Sequence, residues 1–210
     1  MSKSARYYTL GIPAEANDIW IVCHGYGQLA GRFIQHFNVI SANHRLVVAP
    51  EALHRFYLDA PPAPASQRRV GATWMTREDR ETDIADYVDY LDTLISEILS
   101  HAPSARLHVL GFSQGSATIL RWAVRATRVP DHLIIWAGEV PTDVDWNMGA
   151  RKLAQTRIDV VHGSRDELTS QAVLERNLHT LSEVGLSYEL HHFDGRHELD
   201  PDTLLRLANL

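Results

Sequence analysis

The sequence predicts an α/β fold in which a mostly parallel sheet carries helices on both faces. Short apolar runs alternate along the chain with longer stretches of helical periodicity, which is the pattern of such a sheet. The 210 residues are 45% hydrophobic and 22% charged, as in ordinary globular domains. This length suits a substantial core but is short for two domains, so we expect a single domain over residues 1–210.

The strands are predicted where apolar residues form short runs bounded by turn residues or by helix-like stretches. Six such runs occur, at about residues 19–23, 46–49, 107–111, 132–137, 157–162 and 187–193. A further short strand is expected at Tyr7–Leu10, where it would add an antiparallel edge.

Two helices stand out. Residues 79–100 form the clearest one, because apolar residues recur at helical spacing and acidic residues crowd the first turn, where they favour the helix dipole. A second helix is predicted over residues 168–184 and should stop at Gly185.

The least regular segment spans residues 50–78. Its prolines exclude a continuous helix or a central strand. We expect this segment to lie over the strand ends, with Trp74 and Met75 as apolar walls of a substrate pocket. An ordinary packed crossover is the alternative. Leu168 is a weaker candidate for the same wall.

The most informative motif is the G-x-S-x-G pentapeptide at 111–115, which lies between an apolar strand and a helix-like stretch. A strand that reverses into a helix this sharply strains the central backbone, and Gly111 and Gly115 leave room for the bend. Ser113 would then be exposed as a nucleophile. The alternative interpretation is a simple turn serine.

An activated serine needs a base, and the base needs a group that holds its tautomer. Asp166 follows the strand predicted at 157–162 and is the candidate orienting carboxylate. His197 follows the strand predicted at 187–193 and is the candidate general base. The chain order Ser, Asp, His is that of the α/β-hydrolase arrangement.

Other assignments stay open at this point. Asp166 could instead cap a helix that starts near Leu168. Asp143 and Asp145 are rival acids after the preceding strand, and His197 could be an ordinary surface histidine. His191 and His192 are worse bases, because neighbouring residues on a strand point to opposite faces and neither lies in the loop after it.

Two backbone N–H groups could stabilise a developing oxyanion. The N–H of Gln114 follows the nucleophile and opens the helix, where the helix dipole adds positive charge. The N–H of Tyr26 lies in the loop His24-Gly25-Tyr26-Gly27, whose glycines allow it to fold back over the pocket. An ordinary glycine turn is the alternative for that loop.

Four motifs together resemble the phospholipase/carboxylesterase family, which includes small bacterial carboxylesterases and acyl-protein thioesterases. They are H-G-Y-G at 24–27, G-F-S-Q-G-S at 111–116, H-G-S-R-D at 162–166 and the D-G-R-H that ends at His197. The resemblance implies an α/β-hydrolase fold with no large lid domain, which hydrolyses esters or thioesters by a Ser-His-Asp mechanism.

The resemblance also implies individual roles. It assigns the nucleophile to Ser113, the acid to Asp166, the base to His197 and the oxyanion donors to Tyr26 and Gln114. These are the same residues that the local patterns indicate. Separately, Trp74 resembles the tryptophan that precedes the long helix in that family.

Three positions depart from the expected family pattern. Gln28 stands where an aspartate commonly follows H-G-x-G, and Glu167 replaces the usual proline after the acid. The gap from Gly195 to His197 is one residue shorter than usual. None of these changes removes a catalytic group, but they bear on the shape of the pocket mouth.

Composition excludes several other classes of protein. A net charge of −6 and a pI near 6.0 argue against nucleic acid or an anionic membrane surface as partner. The single cysteine, Cys23, excludes an intramolecular disulfide and is expected in the core. The start of the chain lacks a secretory apolar region, and no run is long enough for a membrane span, so we expect a cytoplasmic protein.

Neither a metal nor an organic cofactor is expected. The sequence contains no H-x-x-x-H or H-E-x-x-H motif and no cysteine pair.

The sequence therefore predicts a serine carboxylesterase that hydrolyses short- to medium-chain esters through an acyl-enzyme. Its partner would be a small-molecule ester, and the chain could be a monomer or a homodimer. An acyl thioesterase or a lysophospholipase is the alternative within the same chemistry. A hydrolase-fold binding protein with an idle site is the alternative from a different class.

Overall fold

A seven-stranded sheet forms the centre of the computed structural model, which describes residues 4–62 and 64–210. The strands of the protein are β1 Tyr7–Leu10, β2 Asp18–Cys23, β3 Arg45–Pro50, β4 His54–Tyr57, β5 Val70–Thr73, β6 Arg106–Phe112, β7 His132–Trp136, β8 Arg157–Gly163 and β9 Glu189–Phe193. The order in the large sheet is β1-β3-β2-β6-β7-β8-β9. Only β1 is antiparallel to its neighbour, as predicted.

In the part of the chain that the structure describes, six α-helices cover the two faces of this sheet. They are α1 Ala30–Phe33, α2 Arg80–His101, α3 Gln114–Arg125, α4 Trp146–Leu153, α5 Gln171–Glu183 and α6 Pro201–Ala208. Buried residues of α2, α3, α4 and α5 pack on one face, while α1, the 3₁₀ helix Ile34–Ile40 that continues it, and α6 pack on the other. The predicted sheet with helices on both faces is confirmed.

The central strands are buried along nearly their whole length, because helices cover both faces of the sheet. Every residue of β2 and of β3 is buried, which explains their continuous apolar sequences. Their parallel direction brings the ends of β2, β6, β8 and β9 to one edge of the sheet. The loops that follow these strands carry the residues singled out from the sequence.

The segment 50–78 contains more regular structure than predicted. Strands β4 and β5 pair in an antiparallel two-stranded sheet, separate from the main one. Their connection contains the proline-rich part of the segment, in agreement with the prediction that no continuous helix occurs there.

Two predicted boundaries were wrong. The helix expected from residue 168 begins at Gln171, with Ser170 as its N-cap, because residues 168–170 form a turn held by another side chain. Its predicted end at Gly185 is correct, since that glycine has a φ of +78°. The last strand begins at Glu189, two residues later than expected.

None of the helices within residues 4–62 and 64–210 combines the length and apolar character that a membrane span requires.

Candidate active site

Ser113 occupies a sharp turn between β6 and α3. Its backbone has φ +55° and ψ −119°, a region that residues with side chains rarely adopt. A side chain at Gly111 would collide with the backbone of Gly115, and one at Gly115 would collide with the carbonyl of Cys23. The two glycines therefore allow α3 to start immediately after the strand, which leaves the serine at the sheet edge.

Asp166 lies in the turn after β8, and its carboxylate is fully buried. Oδ1 accepts the N–H groups of Leu168 and Thr169, both at 2.8 Å, while Oδ2 lies 2.8 Å from Nδ1 of His197. The side chain thus organises its own turn and contacts the candidate base. It does not cap α5, which begins later in the chain.

His197 lies in the loop after β9, and its ring packs 4.9 Å from that of Phe112. A carboxylate can only accept, so Nδ1 donates to Asp166 and Nε2 is left as the basic nitrogen. Ser113 and His197 line the same cavity. Within the described residues, no hydrogen bond joins the Ser113 hydroxyl to the imidazole.

The rival residues have other partners. Asp143 is paired with Arg121, and Asp145 caps α4 by accepting the N–H of Met148 at 3.1 Å. His191 binds Asp159, and His192 packs its ring against that of His162. Neither rival carboxylate contacts an imidazole of the site.

The loop at 24–27 approaches the serine closely. A side chain at Gly25 would come within 3.1 Å of Cβ of Ser113, so this position must stay small. Neither the N–H of Tyr26 nor that of Gln114 has an acceptor within the described residues. Two free donors are therefore present next to the nucleophile, as an oxyanion site requires.

His24 fixes the shape of this loop from inside the protein. Its Nδ1 donates to the carbonyl of Gly25 at 2.8 Å, and its Nε2 accepts the N–H of Ala52 at 3.1 Å. Burial lowers the pKa of His24, which keeps the ring neutral, as both contacts need. Gln28 closes the loop, since its Oε1 accepts the N–H of Gly25 at 2.8 Å.

The side chain of Gln114 binds the loop after β5. Its Oε1 accepts the N–H of Trp74 at 3.1 Å, and its Nε2 donates to Oγ1 of Thr73 and to the carbonyl of Met75, both at 3.0 Å. The sequence analysis missed this role, because the partners lie about forty residues earlier in the chain.

The cavity next to Ser113 has a volume of about 490 Å³. Met75 and Leu168 line it, whereas Trp74 does not. The Trp74 ring is fully buried, and its Nε1 donates to the carbonyl of His24 at 2.9 Å. The expectation that Trp74 forms an apolar wall is therefore corrected: it supports the loop that carries Tyr26.

The cavity is also lined by charged residues, of which Asp143 alone was named from the sequence, as a rival acid. Arg80, Arg121, Arg176, Glu139 and Asp143 line it. Arg121 could have been found from helical spacing, because it follows Ser113 by eight residues on the same helix.

One group of metal-ligating side chains lies away from this site. Asp159, Glu189 and His191 come close together on β8 and β9. Asp159 already accepts hydrogen bonds from His132, Arg157 and His191. Its oxygens are therefore engaged by protein donors. Cys23 is buried at the end of β2, and burial raises the pKa of its thiol.

The model of the family described as Phospholipase/Carboxylesterase matches residues 13–209. This range contains every residue of the site described above. The chain belongs to the phospholipase/carboxylesterase family. Membership makes it a hydrolase of the carboxylesterase or acyl-thioesterase type. No curated protein matches this chain.

Solved structures share the fold of this family member at low sequence identity. Esterase PE8 has a TM-score of 0.71 at 20% identity, over 99% of this chain and 97% of its own. Acyl-protein thioesterase 2 from Zea mays has a TM-score of 0.72 at 16% identity, over 98% of this chain and 97% of its own. YahD, solved with malic acid, has a TM-score of 0.65 at 15% identity, over 98% of this chain and 97% of its own. Identities this low show the fold alone.

Proposed function

We propose that this member of the phospholipase/carboxylesterase family is a serine carboxylesterase that hydrolyses short- to medium-chain esters. The observation that carries the proposal is the contact of Asp166 with His197, which lines the same cavity as Ser113. A nucleophile, a base and an orienting carboxylate are the parts that acyl transfer needs.

In the acylation step, Oγ of Ser113 forms a bond to the carbonyl carbon of the ester, and Nε2 of His197 takes the hydroxyl proton. Rotation about χ1 of the serine brings its hydroxyl toward the imidazole. Asp166 stabilises the imidazolium that results. When the tetrahedral intermediate collapses, the C–O bond to the alcohol breaks and His197 returns the proton to the leaving oxygen.

The tetrahedral intermediate carries a negative charge on the former carbonyl oxygen. The N–H groups of Tyr26 and Gln114 would bind this oxygen. A water molecule then attacks the acyl-enzyme with His197 as base, and the acid leaves as Ser113 regains its proton. No cofactor enters either step.

The cavity favours substrates of modest size. Its volume of about 490 Å³ suits a small molecule, and its apolar walls include Met75 and Leu168. Thioesters can react through the same two steps. Activity across ester and thioester series of increasing acyl length separates the carboxylesterase from the thioesterase and lysophospholipase alternatives.

The first experiment uses 4-nitrophenyl butyrate and a fluorophosphonate probe with wild type and Ser113→Ala. We expect wild type to turn over the ester and to be labelled once, at Ser113. The variant should lose both properties while its melting temperature stays within a few degrees. Turnover by the purified variant would exclude Ser113 as the nucleophile.

The same experiment tests the idle-site alternative. A folded wild type that neither reacts with the probe nor hydrolyses any ester of the series would favour a binding protein over an enzyme.

A further inference from the structure

One end of the active-site cavity is formed by charged side chains. Arg80, Arg121 and Asp143 line it together with Ser113. Asp143 accepts a hydrogen bond from Nε of Arg121 at 3.0 Å and forms an ion pair with Arg80. A single carboxylate thus faces two guanidinium groups, which leaves this end of the cavity positively charged.

Helix α3 carries Arg121 and begins directly after the nucleophile Ser113. Ala117 and Arg121 are four residues apart on α3 and share one face, Ser113 is the N-cap of this helix, and all three residues line the cavity. At 1.5 Å per residue, Arg121 lies about 12 Å from Ser113 along the axis, and its side chain leans back toward it.

The guanidinium of Arg121 is incompletely paired. Its side chain is 7% exposed, and Nη1 lies 3.4 Å from the hydroxyl of Tyr87. Its Nη2 donates no hydrogen bond within residues 4–62 and 64–210. A largely buried cation with an unused donor at a cavity wall is suited to an anion that enters the cavity.

The remaining charges of the cavity do not cancel this excess. Arg176 and Glu139 also line the cavity, where they form a separate pair at 3.2 Å. Glu81, the other acidic partner of Arg80, is 80% exposed to solvent and does not line the cavity.

The ionisation states follow from these contacts. Burial raises the pKa of Asp143, but hydrogen bonds from Arg121 and Arg80 outweigh it and hold the pKa below its ordinary value. The hydrogen bond to Asp143 also raises the pKa of Arg80. Asp143 and Arg80 are therefore both charged at neutral pH.

We propose that Arg80 and Arg121 bind a carboxylate carried by the substrate, so that the preferred esters are anionic at a position several bonds from the scissile carbonyl. This inference rests on the proposed esterase function and names its substrate class. An uncharged alkyl chain that reached the same end would remove water from these charges without replacing its hydrogen bonds.

The test compares two esters of equal carbon chain length, 4-nitrophenyl hydrogen suberate and 4-nitrophenyl octanoate. The first ends in a carboxylate and the second in a methyl group. We expect kcat/KM to favour the suberate ester by about 10-fold or more, as for a hydrogen bond to a charged group. The preference should shrink as salt is added.

Variants separate recognition from general damage. Arg80→Gln and Arg121→Gln should each reduce the ratio of the two kcat/KM values toward one. Asp143→Asn should raise this ratio, because the substrate carboxylate then loses its competitor for both guanidinium groups. Arg125→Gln is the matched control, since Arg125 is exposed one turn further along α3 and should leave the ratio unchanged. Thermal unfolding of each variant checks that it folds.

The outcomes distinguish this inference from the function on which it rests. If wild type hydrolyses both esters equally, or if Asp143→Asn and the arginine variants shift the ratio in the same direction, the inference is overturned while the esterase stands. If wild type hydrolyses neither of these two esters and no other ester, the inference and the esterase function are both overturned.

Discussion

Nδ1 of His197 lies 2.8 Å from Oδ2 of Asp166, whose other carboxylate oxygen accepts hydrogen bonds from two backbone N–H groups. The carboxylate is therefore fixed before it orients the ring. Asp166→Asn should lower kcat for 4-nitrophenyl butyrate by about 10⁴-fold, because the amide no longer stabilises the required tautomer or the imidazolium. Steady-state kinetics of the purified variant measure this loss.

The matched control for that variant is Asp145→Asn. Asp145 caps α4 through its side chain, lies outside the cavity and would keep its capping role as asparagine. Its kcat should stay close to that of wild type. A larger loss of kcat in Asp145→Asn than in Asp166→Asn would contradict the assignment. It would indicate that the orienting acid lies in the loop after β7.

A second prediction concerns the contact between Thr73 and Gln114. Oγ1 of Thr73 accepts from Nε2 of Gln114 at 3.0 Å and donates to the carbonyl of Met75 at 2.8 Å. Thr73→Val has nearly the same shape but lacks the hydroxyl, so the start of α3 should be held less firmly. We expect kcat to fall by roughly 10-fold, with the fluorophosphonate probe still attached at Ser113.

Thr127→Val is the control for this variant. The variant also loses a side-chain hydrogen bond, which Thr127 donates to Asp92, but Thr127 lies beyond the C-terminal end of α3. Its kcat should not change. Equal losses in the two variants would mean that any missing hydroxyl lowers activity and that Thr73 has no special role.

The large sheet was predictable because each buried parallel strand is a continuous apolar run. All six residues of β2 are buried, and the run at 19–23 covers all but one of them. The small sheet was missed because β4 alternates between half-buried and exposed residues and is only four residues long. Its pairing with β5 depends on contacts across a proline-rich connection, which local sequence does not encode.

The candidate site shows the same division. Ser113, Asp166 and His197 were predicted because each follows an apolar strand, and parallel strands end at one edge of the sheet. Trp74 was misplaced because its burial depends on a hydrogen bond to the carbonyl of His24, fifty residues earlier. Pairing between Arg121 and Asp143 is likewise a tertiary contact.

The buried position of Trp74 leads to a third prediction. Trp74→Phe keeps an aromatic ring but leaves the carbonyl of His24 without its donor. We expect the free energy of unfolding to fall by about 1–3 kcal/mol and kcat to fall, because the loop that carries Tyr26 loses a support. The relative activity toward different acyl lengths should not change, since Trp74 does not line the cavity.

Trp122→Phe provides the comparison. The Trp122 indole is also fully buried and donates from Nε1 to Asp92 at 3.2 Å, and it does not line the cavity. This variant should lose stability without a matching loss of kcat. A changed acyl-length preference in Trp74→Phe would contradict this assignment and would indicate that Trp74 contacts the substrate.

The last prediction concerns pH and a row of buried polar groups at the other edge of the sheet. His108 stacks on Trp20 and contacts both His132, at 3.2 Å, and Asp18, at 3.3 Å. Burial, with the neighbouring His132 adding to it, lowers the pKa of His108 to about 4, although Asp18 opposes this shift. At neutral pH this imidazole is uncharged.

The sign of the effect follows from proton binding. The ordinary histidine pKa is 6.5, so the unfolded chain binds more protons than the folded one between that value and about pH 4. The stability that His108 contributes is complete above pH 6.5 and is lost as the pH falls through this window. The loss is about 3 kcal/mol over the whole range. The pKa of Asp159 is lowered from its ordinary value of 3.8. The stability that Asp159 contributes is therefore lost only at pH values below the range in which His108 acts.

His108→Phe should keep the stacking on Trp20 and remove the titrating group. Urea unfolding of wild type and variant, measured between about pH 7 and pH 4, should show a shallower fall in the variant by up to about 3 kcal/mol. His179→Gln is the control, because His179 is exposed on α5 and should leave the slope unchanged. Parallel slopes for wild type and His108→Phe would contradict the prediction, because they would show that His108 has the same pKa in the folded and the unfolded chain.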